Sequence, residues 1–257
     1  MRFDDKVVMI SGAASGFGRL AAQRFAAEGA RLSLSDIDEV GLAETAAKLG
    51  GSEVLTTRVD VSQEADQKAH ADATADRFGT IDVALNNAGA GGPMATVADT
   101  TAEEFDRLMA INARGVFLGM KHQLPHMLKA GRGAILNTAS AAGVVGAGML
   151  SAYAASKHAV IGLTRAAADE YARFGIRVNA ICPSFAVTPL FDDIADQVAT
   201  GHGVSREEAY KRFTARIPMR RVAAPEEVVQ AMLWIVDDQN SFMTGQAVSI
   251  DGGLTAV

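Results

Sequence analysis

The hydrophobic positions of the chain fall into seven short apolar runs, most of them separated by longer amphipathic segments. Runs of this length, bounded by polar residues, are typical of strands that are buried on both faces of a parallel sheet. The predicted strands are residues 6–11, 31–36, 53–59, 81–85, 133–138, 176–182 and 247–250.

The segments between these runs repeat apolar residues at helical spacing, as Leu20, Ala21 and Phe25 do after the first strand. Pro225, followed by two glutamates, is a favourable helix start, because proline suits the first turn and acids suit the positive end of the helix dipole. The predicted helices are residues 18–28, 39–49, 63–78, 102–130, 151–174 and 225–236. Alternating strands and helices predict an α/β fold with a parallel sheet.

A length of 257 residues allows one large domain or two small ones. The sequence contains no linker, repeat or low-complexity segment, which favours a single domain over residues 1–257. Residues 185–222 interrupt the alternation with a long polar stretch that has no strand pattern. Long excursions of this kind are often active-site lids, so we expect a substrate lid here.

Composition narrows the function classes. The net charge of −6 and the pI of about 5.4 give no basic footprint for nucleic acid. The single cysteine, Cys182, favours a reducing compartment. The sequence has no signal peptide pattern and no apolar stretch long enough to span a bilayer, so we expect a cytoplasmic protein without a membrane partner. We expect no metal site either, because His122 and His126 share a helix face without a third ligand.

A glycine-rich turn follows the first strand and opens the first helix. Gly12, Gly16 and Gly18 would let the backbone turn tightly and approach a pyrophosphate, and the helix N-terminus would bind the charge. An ordinary turn is the alternative interpretation of three glycines alone. In this context the turn predicts a single Rossmann-type doubly wound sheet of about seven strands with helices on both faces.

Asp36 ends the second strand, where an acid can accept hydrogen bonds from both ribose hydroxyls of an adenosine. It would repel a 2′-phosphate, and neither Ser15 nor Ile37 offers a positive charge to offset that. The sequence therefore favours NAD over NADP. A helix-capping role for Asp36 is the alternative.

Tyr153 and Lys157 are spaced i, i+4 on a predicted helix, so they share one face. A nearby ammonium would lower the pKa of the phenol and make Tyr153 a usable general acid/base. Ser140 follows the preceding strand, and the carboxyl ends of such strands form the ligand crevice of open α/β sheets.

Taken in order, these motifs resemble the short-chain dehydrogenase/reductase family, compact branch, over essentially the whole chain. The matching positions are 11–18, Asp60, Val61, 86–89, Asn112, Ser140, Tyr153, Lys157, 183–188, 244–246 and 251–253. Residues 137–146 are similar to bacterial dehydrogenases of cyclic alcohols and diols. Three positions depart from the family pattern without removing a catalytic group, namely Ser11, Phe17 and Ser184.

The resemblance implies a catalytic set in which Tyr153 transfers the proton and Ser140 positions the substrate oxygen. Lys157 would bind the nicotinamide ribose, and Asn112 would hold a water in a proton relay. A homotetramer is implied as well. The expected cofactor contacts are Gly12, Ser15, Gly16, Phe17, Gly18, Asp36, Ile37, Asp60, Val61, Asn86, Ala88, Gly89, Tyr153, Lys157, Pro183, Ala186 and Thr188.

We expect the substrate to contact Ser140, Ala142, Leu150, Tyr153, Ser184, Phe185 and Phe191. Further apolar residues of this wall are Val144, Val145, Met149 and Leu190. The expected substrate is a neutral, rather hydrophobic secondary alcohol or ketone, with cyclic compounds among the candidates.

Three alternatives stay open. Arg216, Arg220 and Arg221 would recognise an acidic substrate if they line the mouth of the site. An NADPH-dependent 3-oxoacyl or carbonyl reductase of the same fold is the second alternative, and a non-catalytic NAD-binding sensor is the remote third.

Overall fold

A computed structural model describes residues 1–256; the side chain of Leu190 lies outside the description. Within this range the seven predicted strands form one sheet, in the order β3-β2-β1-β4-β5-β6-β7, with every neighbouring pair parallel. The strands are β1 Val7–Ser11, β2 Arg31–Asp36, β3 Val54–Arg58, β4 Val83–Asn86, β5 Gly133–Thr138, β6 Ile176–Pro183 and β7 Ala247–Ile250. The predicted doubly wound α/β fold is therefore confirmed.

Helices are found in all six segments predicted for them, and two further helices lie in the predicted lid segment. The helices are α1 Gly16–Ala27, α2 Glu39–Ala47, α3 Glu64–Phe78, α4 Ala102–Leu108, α5 Gly115–Ala130, α6 Ser151–Tyr171, α7 Pro189–His202, α8 Arg206–Thr214 and α9 Pro225–Val236. The helix predicted over 102–130 is interrupted by a π-helical turn, Met109–Arg114. The predicted lid segment 185–222 contains α7 and α8.

Two buried apolar clusters cover the two faces of the sheet. On β1, Val8 and Ile10 belong to one cluster, which includes residues of α1 and α9, while Met9 belongs to the other, which includes residues of α5 and α6. Alternate residues of a strand point to opposite faces, so a strand buried on both sides is mainly apolar. Buried polar residues of β6, Arg177 and Asn179, donate hydrogen bonds to backbone carbonyls. All five residues of β1 and all eight of β6 are buried.

The strand order reverses between β1 and β4, because the chain winds outward from β1 in both directions. In open parallel sheets the crevice at such a switch point lies outside the carboxyl ends of the strands and binds ligands. Ser11, Asn86 and Thr138 end β1, β4 and β5 at this edge. The fold thus brings the sequence motifs after these strands to one side of the molecule.

Candidate active site

A cavity of about 490 Å³ runs along the carboxyl edge of the sheet. Gly12 and Gly16 line it near the switch point, and Asp36 lines it beside β2. Ser140 and Tyr153 line the same cavity beyond β5. One trough therefore contains both the predicted cofactor turn and three of the predicted catalytic residues, Ser140, Tyr153 and Lys157.

The glycine-rich turn has the geometry that close backbone approach requires. Gly12 has a φ of 68°, and a Cβ there would lie 2.8 Å from Ala88 Cα. Gly18 does not line the cavity; a Cβ at Gly18 would lie 2.0 Å from the carbonyl oxygen of Gly12, so this glycine permits contact between α1 and the turn. The N-terminus of α1 faces the cavity through Gly16 and Phe17. These features fit a dinucleotide pyrophosphate.

Asp36 is held by two backbone donors. Its Oδ2 accepts from the Ala14 N–H at 2.9 Å, and its Oδ1 accepts from the Asp38 N–H at 3.0 Å. The side chain of Asp38, rather than that of Asp36, caps α2 by accepting from the Gly41 N–H at 3.1 Å. The carboxylate of Asp36 is thus oriented at the cavity wall next to Ile37.

Arg19 supplies a positive charge near Asp36 that the sequence interpretation missed. Its guanidinium donates to the carbonyl of Ala14, the residue whose N–H binds Asp36. Its position near the N-terminus of α1 could have indicated this role. A cation there interacts unfavourably with the helix dipole, so it needs specific hydrogen-bond partners.

The turn after β4 forms the middle of the trough. Ser11 Oγ accepts from the N–H groups of Asn87 and Ala88 at 3.1 and 3.2 Å. Asn87, Ala88 and Gly89 line the cavity. Asn86, an expected cofactor contact, is instead buried in the sheet, where it donates to Asn137 Oδ1 at 2.9 Å. Alternation along the strand turns its side chain away from the trough.

The adenosine end is completed after β3. Asp60 and Val61 line the cavity as expected. Asp60 Oδ1 accepts from the N–H and the hydroxyl of Ser62, at 2.9 and 2.7 Å, which holds the Asp60 carboxylate in place.

Three of the four expected catalytic residues, Ser140, Tyr153 and Lys157, come from two elements. Ser140 follows β5, and its Oγ accepts from the Ala142 N–H at 3.1 Å at the start of a short 3-10 turn. Tyr153 and Lys157 lie on consecutive turns of α6. Lys157 Nζ donates to the carbonyl of Thr138 at 2.9 Å and lies 5.7 Å from the centre of the Tyr153 ring.

Asn112 lies in the π-helical turn and is fully buried, rather than lining the cavity. Its side chain forms a pair of hydrogen bonds with the backbone of Ala90 and donates to Ser156 Oγ at 3.0 Å. A Cβ at Gly89 would lie 3.1 Å from Asn112 Oδ1 and 3.3 Å from Lys157 Nζ. Asn112 Oδ1 and Lys157 Nζ thus both lie beside Gly89. Asn112 comes from a π-helical turn, an element that is frequent at functional sites.

Burial controls the proton affinities of this group. It raises the pKa of Tyr153, and the hydroxyl of Ser140 opposes that change. It lowers the pKa of Lys157 to about 8, because the ammonium loses solvation. The lowered phenol pKa expected from the sequence is therefore not found in this structure, where burial is the larger effect.

The wall beyond Tyr153 is mainly apolar and includes every expected substrate contact. Ala142, Leu150, Ser184, Phe185 and Phe191 all line the cavity. Of the further apolar residues expected there, Val145 does so, whereas Val144 and Met149 are exposed and do not. Leu190 cannot be assigned, because its side chain lies outside the described part of the chain.

The three arginines after α8 have different surroundings. Arg221 pairs with Glu227 at 2.6 Å, and Arg220 donates to the carbonyl of Ala215 at 2.6 Å. Arg216 lines the cavity and has no ion pair within residues 1–256.

The described part of the chain contains neither a cluster of metal-ligating side chains nor a membrane-spanning helix. No group of three or more His, Cys, Asp or Glu side chains is placed to hold a metal ion there. His122 and His126 instead lie 3.3 and 3.0 Å from the carboxylates of Glu64 and Asp72. No helix within residues 1–256 is long and apolar enough to cross a bilayer.

Comparison with known sequences identifies relatives along the whole chain. The family model described as enoyl-(acyl carrier protein) reductase matches residues 12–255. Levodione reductase of Leifsonia aquatica is 44% identical, over 99% of this chain and 96% of its own length. The 2,5-dichloro-2,5-cyclohexadiene-1,4-diol dehydrogenase of Sphingobium indicum is 41% identical, over 98% of each chain. The cis-4-hydroxycyclohexanecarboxylate dehydrogenase of Sinomonas cyclohexanicum is 40% identical, over 99% and 98%.

Solved structures agree with these matches. The crystal structure of levodione reductase superposes with a TM-score of 0.96 at 42% identity, over 99% of both chains. An NAD+-bound xylitol dehydrogenase has a TM-score of 0.94 at 32% identity, over 98% and 100%. An actinorhodin polyketide ketoreductase variant with NADPH has a TM-score of 0.93 at 35% identity, over 98% of each chain. The chain belongs to the short-chain dehydrogenase/reductase family of NAD(P)-dependent oxidoreductases.

Proposed function

We propose that the protein transfers a hydride between NAD(H) and a rather hydrophobic secondary alcohol or ketone, with cyclic compounds as the first candidates. One observation carries this proposal: Ser140, Tyr153 and Lys157 lie in the same trough as the glycine-rich turn and Asp36. The presence of Ser140, Tyr153 and Lys157 together argues against a non-catalytic NAD-binding sensor.

The bound cofactor would supply the nicotinamide carbon that accepts or donates the hydride. Tyr153 moves the proton to or from the substrate oxygen, and Ser140 hydrogen-bonds that oxygen and orients it. Lys157, held by the Thr138 carbonyl, would bind the nicotinamide ribose, and Asn112 would hold a water through which Lys157 exchanges protons with solvent. The remaining expected cofactor contacts that line the trough would hold the dinucleotide, including Pro183, Ala186 and Thr188.

NAD is the proposed cofactor, because the oriented carboxylate of Asp36 favours free ribose hydroxyls and disfavours a 2′-phosphate. An NADPH-dependent 3-oxoacyl or carbonyl reductase is the alternative, and equal catalytic efficiency with both cofactors would support it.

The substrate class rests on the apolar wall beyond Tyr153 and on the names of the relatives. Two of the relatives described above are named for cyclic diols or hydroxycyclohexane compounds. Residues 185–222 serve as the lid over this wall, and residues 1–257 act as one domain that assembles into a homotetramer.

The decisive experiment is a screen of cyclic and linear secondary alcohols with NAD and NADP, followed by nicotinamide absorbance, on the native protein and Tyr153→Phe. The variant should lose about 10²- to 10⁴-fold in kcat while it still binds NAD, because the change removes the proton-transfer group and leaves the other cofactor contacts in place. Tyr171→Phe, on the same helix but outside the cavity, is the control. Undiminished activity of Tyr153→Phe would contradict the mechanism.

A second candidate substrate class is favoured by Arg216, a cation at the cavity wall in the lid segment. It consists of the same ring alcohols carrying a carboxylate, as the name of the Sinomonas relative describes for that protein. The test compares kcat/KM for a hydroxycyclohexanecarboxylate and its methyl ester. A native preference for the acid of about 10-fold that disappears in Arg216→Gln, and persists in Arg212→Gln, would select this candidate. A preference for the ester would retain the neutral substrate.

A further inference from the structure

Arg19 connects the glycine-rich turn to α2. Its Nη2 donates to the carbonyls of Ala14 and Gly41, the latter at 3.1 Å, and its Nε donates to Thr45 Oγ1 at 2.9 Å. The same Nη2 lies 3.0 Å from Glu44 Oε2. About a quarter of the Arg19 side chain is exposed, whereas Thr45 is fully buried. The fork of the guanidinium matches several acceptors at once, which a single ammonium cannot do.

Thr45 completes the attachment. Its hydroxyl donates to the carbonyl oxygen of Ala13 at 2.8 Å, so the Ala13 carbonyl is bound from α2 and the Ala14 carbonyl by Arg19 of α1. The packing there is close, since a Cβ at Gly41 would lie 2.9 Å from the Ala14 Cβ. The turn is thus fixed in position against α2 before any ligand binds.

Ala14 links the Arg19 contacts to Asp36 at the cavity wall. Its carbonyl accepts from Arg19, while its N–H donates to Asp36 Oδ2 at 2.9 Å. Asp36 lines the cavity, whereas Arg19 and Thr45 do not. Any loosening of the Arg19 contacts would therefore move the donor that orients the Asp36 carboxylate.

We propose that Arg19 is a positioning residue for cofactor selectivity, which holds Asp36 in register with the adenosine ribose through Ala14 and Thr45. The charge of Arg19 is engaged by Glu44 and by backbone carbonyls, so it does not serve as a receptor for a 2′-phosphate. This inference rests on the proposed NAD site and adds a residue that positions Asp36, the residue that selects the free ribose.

The test measures binding without substrate. Isothermal titration gives Kd values for NAD and for its analogue with 2′-deoxyadenosine in the native protein, Arg19→Met, Arg19→Lys and Asp36→Asn. The native protein should bind NAD at least about 10-fold more tightly than the deoxy analogue, because Asp36 accepts a charge-assisted hydrogen bond from the hydroxyl. Arg19→Met and Arg19→Lys should both reduce this ratio to below about threefold.

A double-mutant cycle separates positioning from general loosening. If Arg19 acts through Asp36, adding Arg19→Met to Asp36→Asn should change the ratio little further. A merely structural role would weaken NAD and the deoxy analogue equally and leave their ratio unchanged. Arg24→Met is the matched control, because Arg24 lies on the same helix and donates to Gln230, away from the turn.

Other outcomes are equally informative. If Arg19→Met discriminates between NAD and the deoxy analogue as well as the native protein does, Arg19 has no role in selectivity and the proposal is overturned. If Arg19→Lys keeps the native ratio, the effect depends on charge alone and the proposal is overturned as well. If Arg19→Met does not fold, Thr45→Val removes the buried hydroxyl and should lower the same ratio. Failure of the native protein to bind NAD would instead contradict the proposed function itself.

Discussion

His70, on α3, is fully buried, and neither of its ring nitrogens has a hydrogen-bond partner among the described residues. Burial lowers the pKa of this imidazole from 6.5 to about 4, because the charged form would lose its hydration without a compensating contact. The folded protein therefore holds His70 neutral well below the pH at which an unfolded chain protonates it.

This difference in the His70 pKa between the folded and unfolded states predicts that the protein loses stability in acid. Between pH 6.5 and about 4 the unfolded state binds a proton that the folded state does not, so the free energy of unfolding falls as the pH falls. His70 alone should account for about 3 kcal/mol across this window. Urea unfolding at several pH values should show a shallower acid decline for His70→Leu than for the native protein. His158→Gln is the control at an exposed histidine, and equal declines in all three proteins would contradict the prediction.

The positions of several other residues could be predicted from the local sequence pattern, and those of two could not. Tyr153, Lys157 and Asp36 lie at the trough as their spacing and strand-end positions predict. Asn86 does not follow the local pattern, because its position at the end of a strand does not show whether its side chain faces the cavity or the sheet. Arg19 does not follow it either, because its hydrogen-bond partners come from α2 and from the glycine-rich turn.

At the scale of elements, an aromatic cluster packs the two lid helices against the start of the lid segment. Phe213 of α8 lies with its ring centre 4.8 Å from that of Phe185 and 5.3 Å from that of Phe191. Phe185 and Phe191 line the cavity, whereas Phe213 supports them from behind. Tyr210 of α8 also donates to Asp192 of α7 at 2.7 Å, so the two lid helices are bonded to each other.

Removing this support should affect substrate binding more than cofactor binding. Phe213→Ala should raise KM for the alcohol about 5- to 10-fold, because ring pairs of this kind contribute about 0.5–1.5 kcal/mol beyond their buried area. The Kd for NAD should change less than twofold. Steady-state kinetics with titration of NAD checks both values, and Phe174→Ala, at an exposed ring outside the cavity, is the control. A parallel loss of NAD affinity would assign Phe213 to the cofactor site instead.

At the scale of the whole molecule, α5 exposes three apolar residues on a face that it shares with the charged Lys121. Phe117, Pro125 and Leu128 are exposed on one side of this helix, while its opposite side packs on the sheet. Exposed apolar positions along a long helix are consistent with the proposed tetramer, in which helices pack across a two-fold axis.

Light scattering on the native protein should therefore give four times the chain mass of 26.8 kDa. Phe117→Asp should shift the mass toward dimer or monomer, because an isologous interface would bury the introduced charge twice. Val40→Asp, at an exposed apolar position on α2, should keep the tetramer. A native monomer, or a tetramer that Phe117→Asp leaves intact, would contradict a contact through α5.

The sequence by itself determined the seven parallel strands, the helices between them, the glycine-rich turn and most of the cavity wall. Continuous apolar runs, helical periodicity and positions at strand ends are local signals, and in a parallel sheet all strand ends meet at one edge. The tertiary structure decided what depends on contacts between distant segments: the inward orientation of Asn86, the π-helical turn that buries Asn112, the attachment of Arg19 to α2 and the proximity of Arg216 to the cavity. It also decided the balance of proton affinities at Tyr153 and Lys157, because burial is a property of the packed molecule and outweighs the effect of spacing along one helix.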